Sequence, residues 1–182
     1  QAAEAADWSD ARARLVMHIA RDIPNTDGVQ FRTHLIPDPN LNAGDGLQPL
    51  VFLGINFDLG GGFSVEPVVG WHFLDGGDAP IYSVRGAYDD DRISSWVDVE
   101  YNHRPSDELY WFAQVEWKLS PRYQVGFEGE GWGPFAQNDR SDGFGPNFLI
   151  SWKHVGLDLA VHYRNGPSEN APEFFTRFHL RF

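Results

Sequence analysis

Apolar and polar residues alternate one by one through most of the chain after residue 47, in segments of about nine to twelve residues. A strand sends successive side chains to opposite faces, so each segment predicts a strand with one apolar and one polar face. Val51, Leu53, Ile55 and Phe57 alternate with Phe52, Gly54, Asn56 and Asp58. After Gly60-Gly61-Gly62, which reads as a tight turn, Phe63, Val65, Pro67, Val69, Trp71 and Phe73 alternate with Ser64, Glu66, Val68, Gly70 and His72. Equivalent segments cover 81–88, 95–102, 109–118, 123–130, 147–153 and 157–164. The last runs from Pro172 to Phe182: Phe174, Phe178, Leu180 and Phe182 share a face with Thr176, and Glu173, Phe175, Arg177, His179 and Arg181 share the other.

Upstream, Val29, Phe31, Thr33 and Leu35 alternate with Gln30, Arg32 and His34, predicting a strand over 28–36. Residues 8–22 fit two patterns. Trp8, Leu15, Ile19 and Ile23 lie on one helical face behind a helix start at Ser9, while Leu15, Met17 and Ile19 also suit a strand over 12–23. An amphipathic helix is the preferred reading and gives about ten strands in all.

The connections alternate in length. Those near Gly60, Asp90, Ser120 and Val155 are short; those over 36–46, 74–79 and 134–143 are longer and rich in Gly, Asp, Asn and Pro, with the link near Pro105 a short exception. Aromatic residues on the apolar face fall into two sets. Phe57, Phe63, Trp117, Tyr123, Trp152 and Phe182 lie beside the short turns; Trp71, Phe73, Tyr101, Trp111, Phe148, Tyr163 and Phe174 are expected near the other strand ends. Two aromatic girdles around an aliphatic band match the two interfaces of a bilayer.

The closing strand, with its alternating apolar residues and terminal Phe182, resembles that of bacterial outer-membrane β-barrels, in which the assembly machinery reads this signal. The resemblance implies a single all-β domain over 1–182. It would be a closed antiparallel transmembrane β-barrel, with 1–27 as a periplasmic or interfacial segment containing the short helix. It also implies residence in the bacterial outer membrane, contact with its lipid and lipopolysaccharide, and docking to the assembly machinery through the last strand. The long loops would be the place for a protein partner.

The polar face would then line the lumen. It carries Glu66, Asp98, Glu100, Glu116, Glu128 and Glu130 on the middle strands, and Lys118, Lys153, Arg164, Arg177, His179 and Arg181 mostly on the last ones, with Arg85, Asp158 and His162 added. Such charges need partners in a low-dielectric interior, so acids and bases are expected to meet across the barrel. Phe52, Trp96, Tyr110, Phe112, Trp132 and Phe175 point the same way, which favours a filled, ion-paired interior over a narrow pore.

Composition narrows the chemistry. The chain has 182 residues, no cysteine and a formal net charge of −12. Thiol catalysis and disulfides are excluded, and an acidic chain is a poor partner for nucleic acid. The stretch His162-Tyr163-Arg164-Asn165-Gly166-Pro167-Ser168, with Glu173 beyond it, resembles a motif of outer-membrane lipid A deacylases and phospholipases. That resemblance implies a hydrolase with His162, Ser168 and Glu173 as its catalytic set. However, Arg164 stands where the nucleophile belongs, and His162 faces inward by parity. A non-enzymatic scaffold or narrow solute channel is therefore the leading expectation, ahead of that hydrolase and of a soluble lipocalin-like carrier. No cofactor is expected. Seven histidines lack zinc spacing, and Asp139 and Asp142 form only a weak oxygen-ligand pair for a metal.

Overall fold

The computed structural model describes residues 11–37, 49–73, 79–103, 107–134, 140–166 and 170–182. They form eleven strands: β1 (Ala11–Asp22), β2 (Val29–Ile36), β3 (Leu50–Gly60), β4 (Phe63–His72), β5 (Ala79–Asp89), β6 (Ile93–Asn102), β7 (Glu108–Lys118), β8 (Tyr123–Pro134), β9 (Ser141–Ser151), β10 (Val155–Asn165) and β11 (Asn170–Arg181). Each pairs antiparallel with its neighbour in sequence, and β1 closes the barrel against β11. The closed β-barrel expected from the alternation is the fold that forms.

The N-terminal stretch differs from the preferred reading. Residues 11–22 form a strand rather than a helix, and residues 8–10 lie outside the described residues. The cause is the partner on each side. β1 pairs with β2 from Met17↔Leu35 to Asp22↔Gln30, and with β11 from Ala11↔Phe174 to His18↔Arg181. A helix here would leave the facing edges of β2 and β11 unpaired, and an open sheet edge is costly. The extra strand makes the count odd. In an up-and-down barrel an odd count gives the first and last strands the same direction, and β1 and β11 are indeed parallel.

The two sides of the wall are opposite in character. Leu53, Ile55, Val69, Val84, Val97, Val99, Val125 and Phe178 face outward, and among the described residues 26 large hydrophobic ones are between 36 and 65 % exposed. Glu66, Arg85, Asp98, Glu128, Glu130, Asp158, Arg164 and Arg177 are buried inside. The aromatic residues hold to the strand ends with one exception. Phe148 belongs with the short turns, because it pairs with Val125 and its ring stacks on Tyr123 at 6.1 Å between centroids. At the other end Phe144 pairs with Tyr163. The β3–β4 turn uses left-handed backbone at three successive residues, with φ of 80°, 63° and 86° at Gly60, Gly61 and Gly62, a path closed to most side chains.

Candidate functional site: a charged lumen

The inward face holds two ion-paired clusters. The first joins β8, β10, β11 and β1. Arg164 donates to Glu173 Oε2 at 2.7 Å and to Glu130 Oε1 at 3.0 Å, and Arg12 donates to the same two carboxylates. Arg177 lies 2.8 Å from Asp158 and also donates to Glu128. His162 is fully buried, with Nε2 2.9 Å from Glu128 Oε1. Glycine makes these contacts geometrically accessible. β9 lies between β8 and β10, and Arg164 passes close over Gly143, where a Cβ would stand 3.1 Å from its Nη2, so the small residue leaves room for β10 to reach over β9 to β8.

The second cluster joins β2, β4, β5 and β6. Arg85 donates to Asp98 Oδ2 at 2.8 Å, lies 3.5 Å from Glu100 and 4.0 Å from Glu66, and Ser83 donates to Asp98 at 2.5 Å. Glu66 crosses β3 over Gly54, whose Cβ would fall 2.3 Å from its Oε1, and lies 3.3 Å from His34 Nε2. From there a row of imidazoles continues around the wall: His34 Nδ1 is 2.9 Å from His18 Nδ1, and His18 Nε2 is 3.0 Å from His179 Nδ1. A carboxylate accepts from His34 Nε2–H, which leaves Nδ1 as an acceptor for His18, and His18 Nε2 in turn as an acceptor for His179.

Most pairing runs along the wall between nearby strands, as with Arg85 and Asp98 or Arg177 and Asp158, rather than across the lumen as the sequence suggested. The crossings come from β1. Arg12 reaches Glu130 on β8, and Arg14 hydrogen-bonds Tyr110 on β7. Tyr110 in turn donates to Glu130 at 3.2 Å. These spans lie toward the long-link end. Trp132 stacks there under the Arg164 guanidinium, 4.0 Å from its ring centroid.

Glu116 has a different environment. Its donors are neutral: Gln114 and Asn147 at 2.9 Å and Ser94 at 3.2 Å. A cavity of about 1320 Å³ lies between the clusters. It is bounded by Lys118, Ser120 and Phe182 at the short-turn end and by His72, Asn102 and Glu108 at the other.

Of the lumen residues expected from the sequence, Glu66, Arg85, Asp98, Glu100, Glu116, Glu128, Glu130, Arg164 and Arg177 are buried inside, and His179 and Arg181 line the cavity. Lys153 does not join them; it is exposed in the turn between β9 and β10, because the strand ends at Ser151. Phe57, Phe63, Trp71, Trp117, Trp152, Tyr163 and Phe174 are exposed on the outer wall, Trp111 is half-buried there, and Phe182 is exposed at the short-turn rim, where it also borders the cavity. Asp142 accepts from the Trp111 indole at 2.8 Å, and Asp139 lies outside the described residues. Ser168 also lies outside them. His162 and Glu173 are cross-strand partners, but both point into the lumen, where Glu128, Arg12 and Arg164 engage them.

The residues that sequence reasoning missed are Arg12, Arg14 and His18. They alternate inward against Leu15, Met17 and Ile19, a period of two that was outweighed by the helical spacing of Trp8, Leu15, Ile19 and Ile23. The amides of Gln114 and Asn147, which bridge Glu116 and Asp158, were missed as well, since nothing in one strand's pattern reveals a bond to another. No protein-family model, curated protein or solved structure matches this chain.

Proposed function

We propose that this chain is an integral outer-membrane barrel whose lumen admits small charged solutes. The observation that carries the reading is the inverted wall, hydrocarbon outside and ionised groups inside. A water-soluble barrel gains stability by burying its apolar side chains, and leaving 26 large ones uncovered would forfeit that gain. In a bilayer the same surface meets acyl chains, the aromatic girdles meet the headgroups, and closure leaves no unpaired edge. A lipocalin-like carrier would need an apolar cavity, which is not what Glu66, Glu100, Arg85 and Arg177 provide.

The cavity running between the two rims supports passage or binding of a solute over a purely structural role. The specific observation on the other side is the Arg12 and Arg14 crossing, which favours a closed scaffold. A lipid hydrolase is the weakest reading, because His162 is sealed inside the wall with its Nε2 on Glu128. Lipopolysaccharide outside, the assembly machinery at the last strand and a partner at the long links belong to the same proposal.

The test is twofold. Folded protein in detergent should migrate faster on a denaturing gel before boiling than after, and should produce discrete conductance steps in planar lipid bilayers. Stable solubility without detergent would overturn the membrane assignment. Heat-shifted migration with silent bilayers would leave the scaffold.

A further inference from the structure

Glu116 stands apart from the other acids of the lumen. Every other buried carboxylate among the described residues lies within 4.0 Å of a guanidinium nitrogen. Glu116 has no such neighbour; its partners are the neutral Gln114, Asn147 and Ser94. Arg177, whose charge reaches it, is committed to Glu128 and Asp158. The Gln114 amide nitrogen touches all three acids, 2.9 Å from Glu116, 3.3 Å from Glu128 and 3.2 Å from Asp158. Three carboxylates therefore share one guanidinium and the His162 imidazole. A buried carboxylate without a counter-charge is costly, and a cation brought by the solute would offset that cost.

The wall holds this carboxylate in one orientation. Gln114 and Asn147 both donate to Oε1 at 2.9 Å. Asn147 reaches it from β9 across β8, passing over Gly126, where a Cβ would stand 2.7 Å from the Asn147 Oδ1. Oε2 is left to Ser94, the cross-strand partner of Glu116, whose hydroxyl lies 3.2 Å away. The same hydroxyl lies 2.8 Å from Gln124 Oε1. Its single proton serves one of these two, and its lone pairs stay open to a donor. Ser94, Glu116 and Gln124 all line the cavity. Lys118, two residues beyond Glu116 on the same face, is drawn toward the rim instead, where its ammonium donates to Asp89 Oδ1 at 2.6 Å and to the Asp90 carbonyl at 2.5 Å.

We propose that Glu116 Oε2, Ser94 Oγ and Gln124 Oε1 bind the primary ammonium group of a solute in the lumen. An ammonium carries three N–H donors and no acceptor, which suits one carboxylate oxygen flanked by a hydroxyl and an amide carbonyl. Calcium is a poorer fit, because it takes about six to eight oxygens and is held by several carboxylates, whereas Glu116 is the one acid at this spot without a cation. The site deepens the solute-lumen reading and rests on it.

The experiment is calorimetric titration of the full chain in nonionic detergent micelles with methylammonium, with calcium, and with tetramethylammonium, which has the charge but no N–H donor. Saturable binding of methylammonium is expected, with both other cations weaker. Glu116→Gln keeps the shape and removes the charge; it should weaken methylammonium binding by roughly tenfold or more, and Ser94→Ala by roughly threefold. Asp91→Asn, on the exposed β5–β6 turn, removes the same charge elsewhere and should leave binding unchanged. No methylammonium binding by protein with intact heat-shifted migration overturns the site. So does an equal loss in Asp91→Asn, or tighter binding of tetramethylammonium or calcium. Bilayer recordings separate the two claims. Conductance without methylammonium binding removes the site and keeps the channel. Methylammonium binding without conductance keeps the site and removes the channel.

Discussion

At the scale of single residues, the lumen is governed by whether each charge keeps its partner. Arg177 is buried and serves both Glu128 and Asp158. Arg177→Met should lower stability by about 3–5 kcal/mol, since removing one partner of a buried pair strands the other charges. Lys118→Met should cost no more than about 1 kcal/mol, because its partner Asp89 is mostly exposed. Urea unfolding in a fixed detergent, followed by tryptophan fluorescence, would compare them. Outside the strands, Asp90 caps the β5–β6 turn. It accepts from the Tyr88 hydroxyl at 2.7 Å and from the Arg92 and Ile93 backbone N–H groups at 2.7 Å each. The Tyr88 hydroxyl, then the two backbone donors, hold its carboxyl down at about 2. A depressed carboxyl stabilises the fold above its unfolded value of 3.8, and that contribution fades as pH falls toward about 2. The side-chain carboxyl carbon resonance of Asp90 should titrate near that lower value, and a midpoint close to 3.8 would refute the turn geometry.

At the scale of elements, the parallel seam is the part most worth probing. Leu15 on β1 and Phe178 on β11 are register partners on the outer face. The chain has no cysteine, so Leu15→Cys with Phe178→Cys introduces the sole thiols. A short bis-thiosulfonate linker should join them in the folded protein, giving an unboiled and boiled band that differ from the uncross-linked forms. Failure to join, with each thiol separately reactive, would remove β1 from the wall. The strands from β2 to β11 were legible because each shows its own two-residue period, which does not depend on its neighbours. β1 was not, because a stretch with Trp8, Leu15, Ile19 and Ile23 fits a helix until the vacant edges of β2 and β11 are known. The same limit applies to the site. Parity identified Glu128, Glu130 and Arg164 as inward residues, but which acid meets which base depends on the strand that lies between them, as where Gly54 clears the path of Glu66 to His34, and that is a property of three strands together.

At the scale of the molecule, the outer wall should respond to charge according to height. Val97 sits mid-strand, paired with Gly86 and Ala113, whereas Trp117 lies at the short-turn rim beside Ile93 and Val125. If acyl chains cover the wall, Val97→Arg should destabilise by about 2–4 kcal/mol and Trp117→Arg by about 1 kcal/mol or less beyond its lost packing. Refolding equilibria in lipid vesicles would measure both. Equal small costs would mean that water touches both positions.

An odd number of crossings has a directional consequence. The polypeptide enters the barrel through one mouth at Ala11 and leaves through the other at Phe182. If lipid surrounds the wall, anything joined ahead of the first strand and anything joined behind the last is delivered to different compartments. A protease-cleavable epitope placed at each terminus of protein reconstituted in sealed vesicles would then be cut from opposite sides of the bilayer.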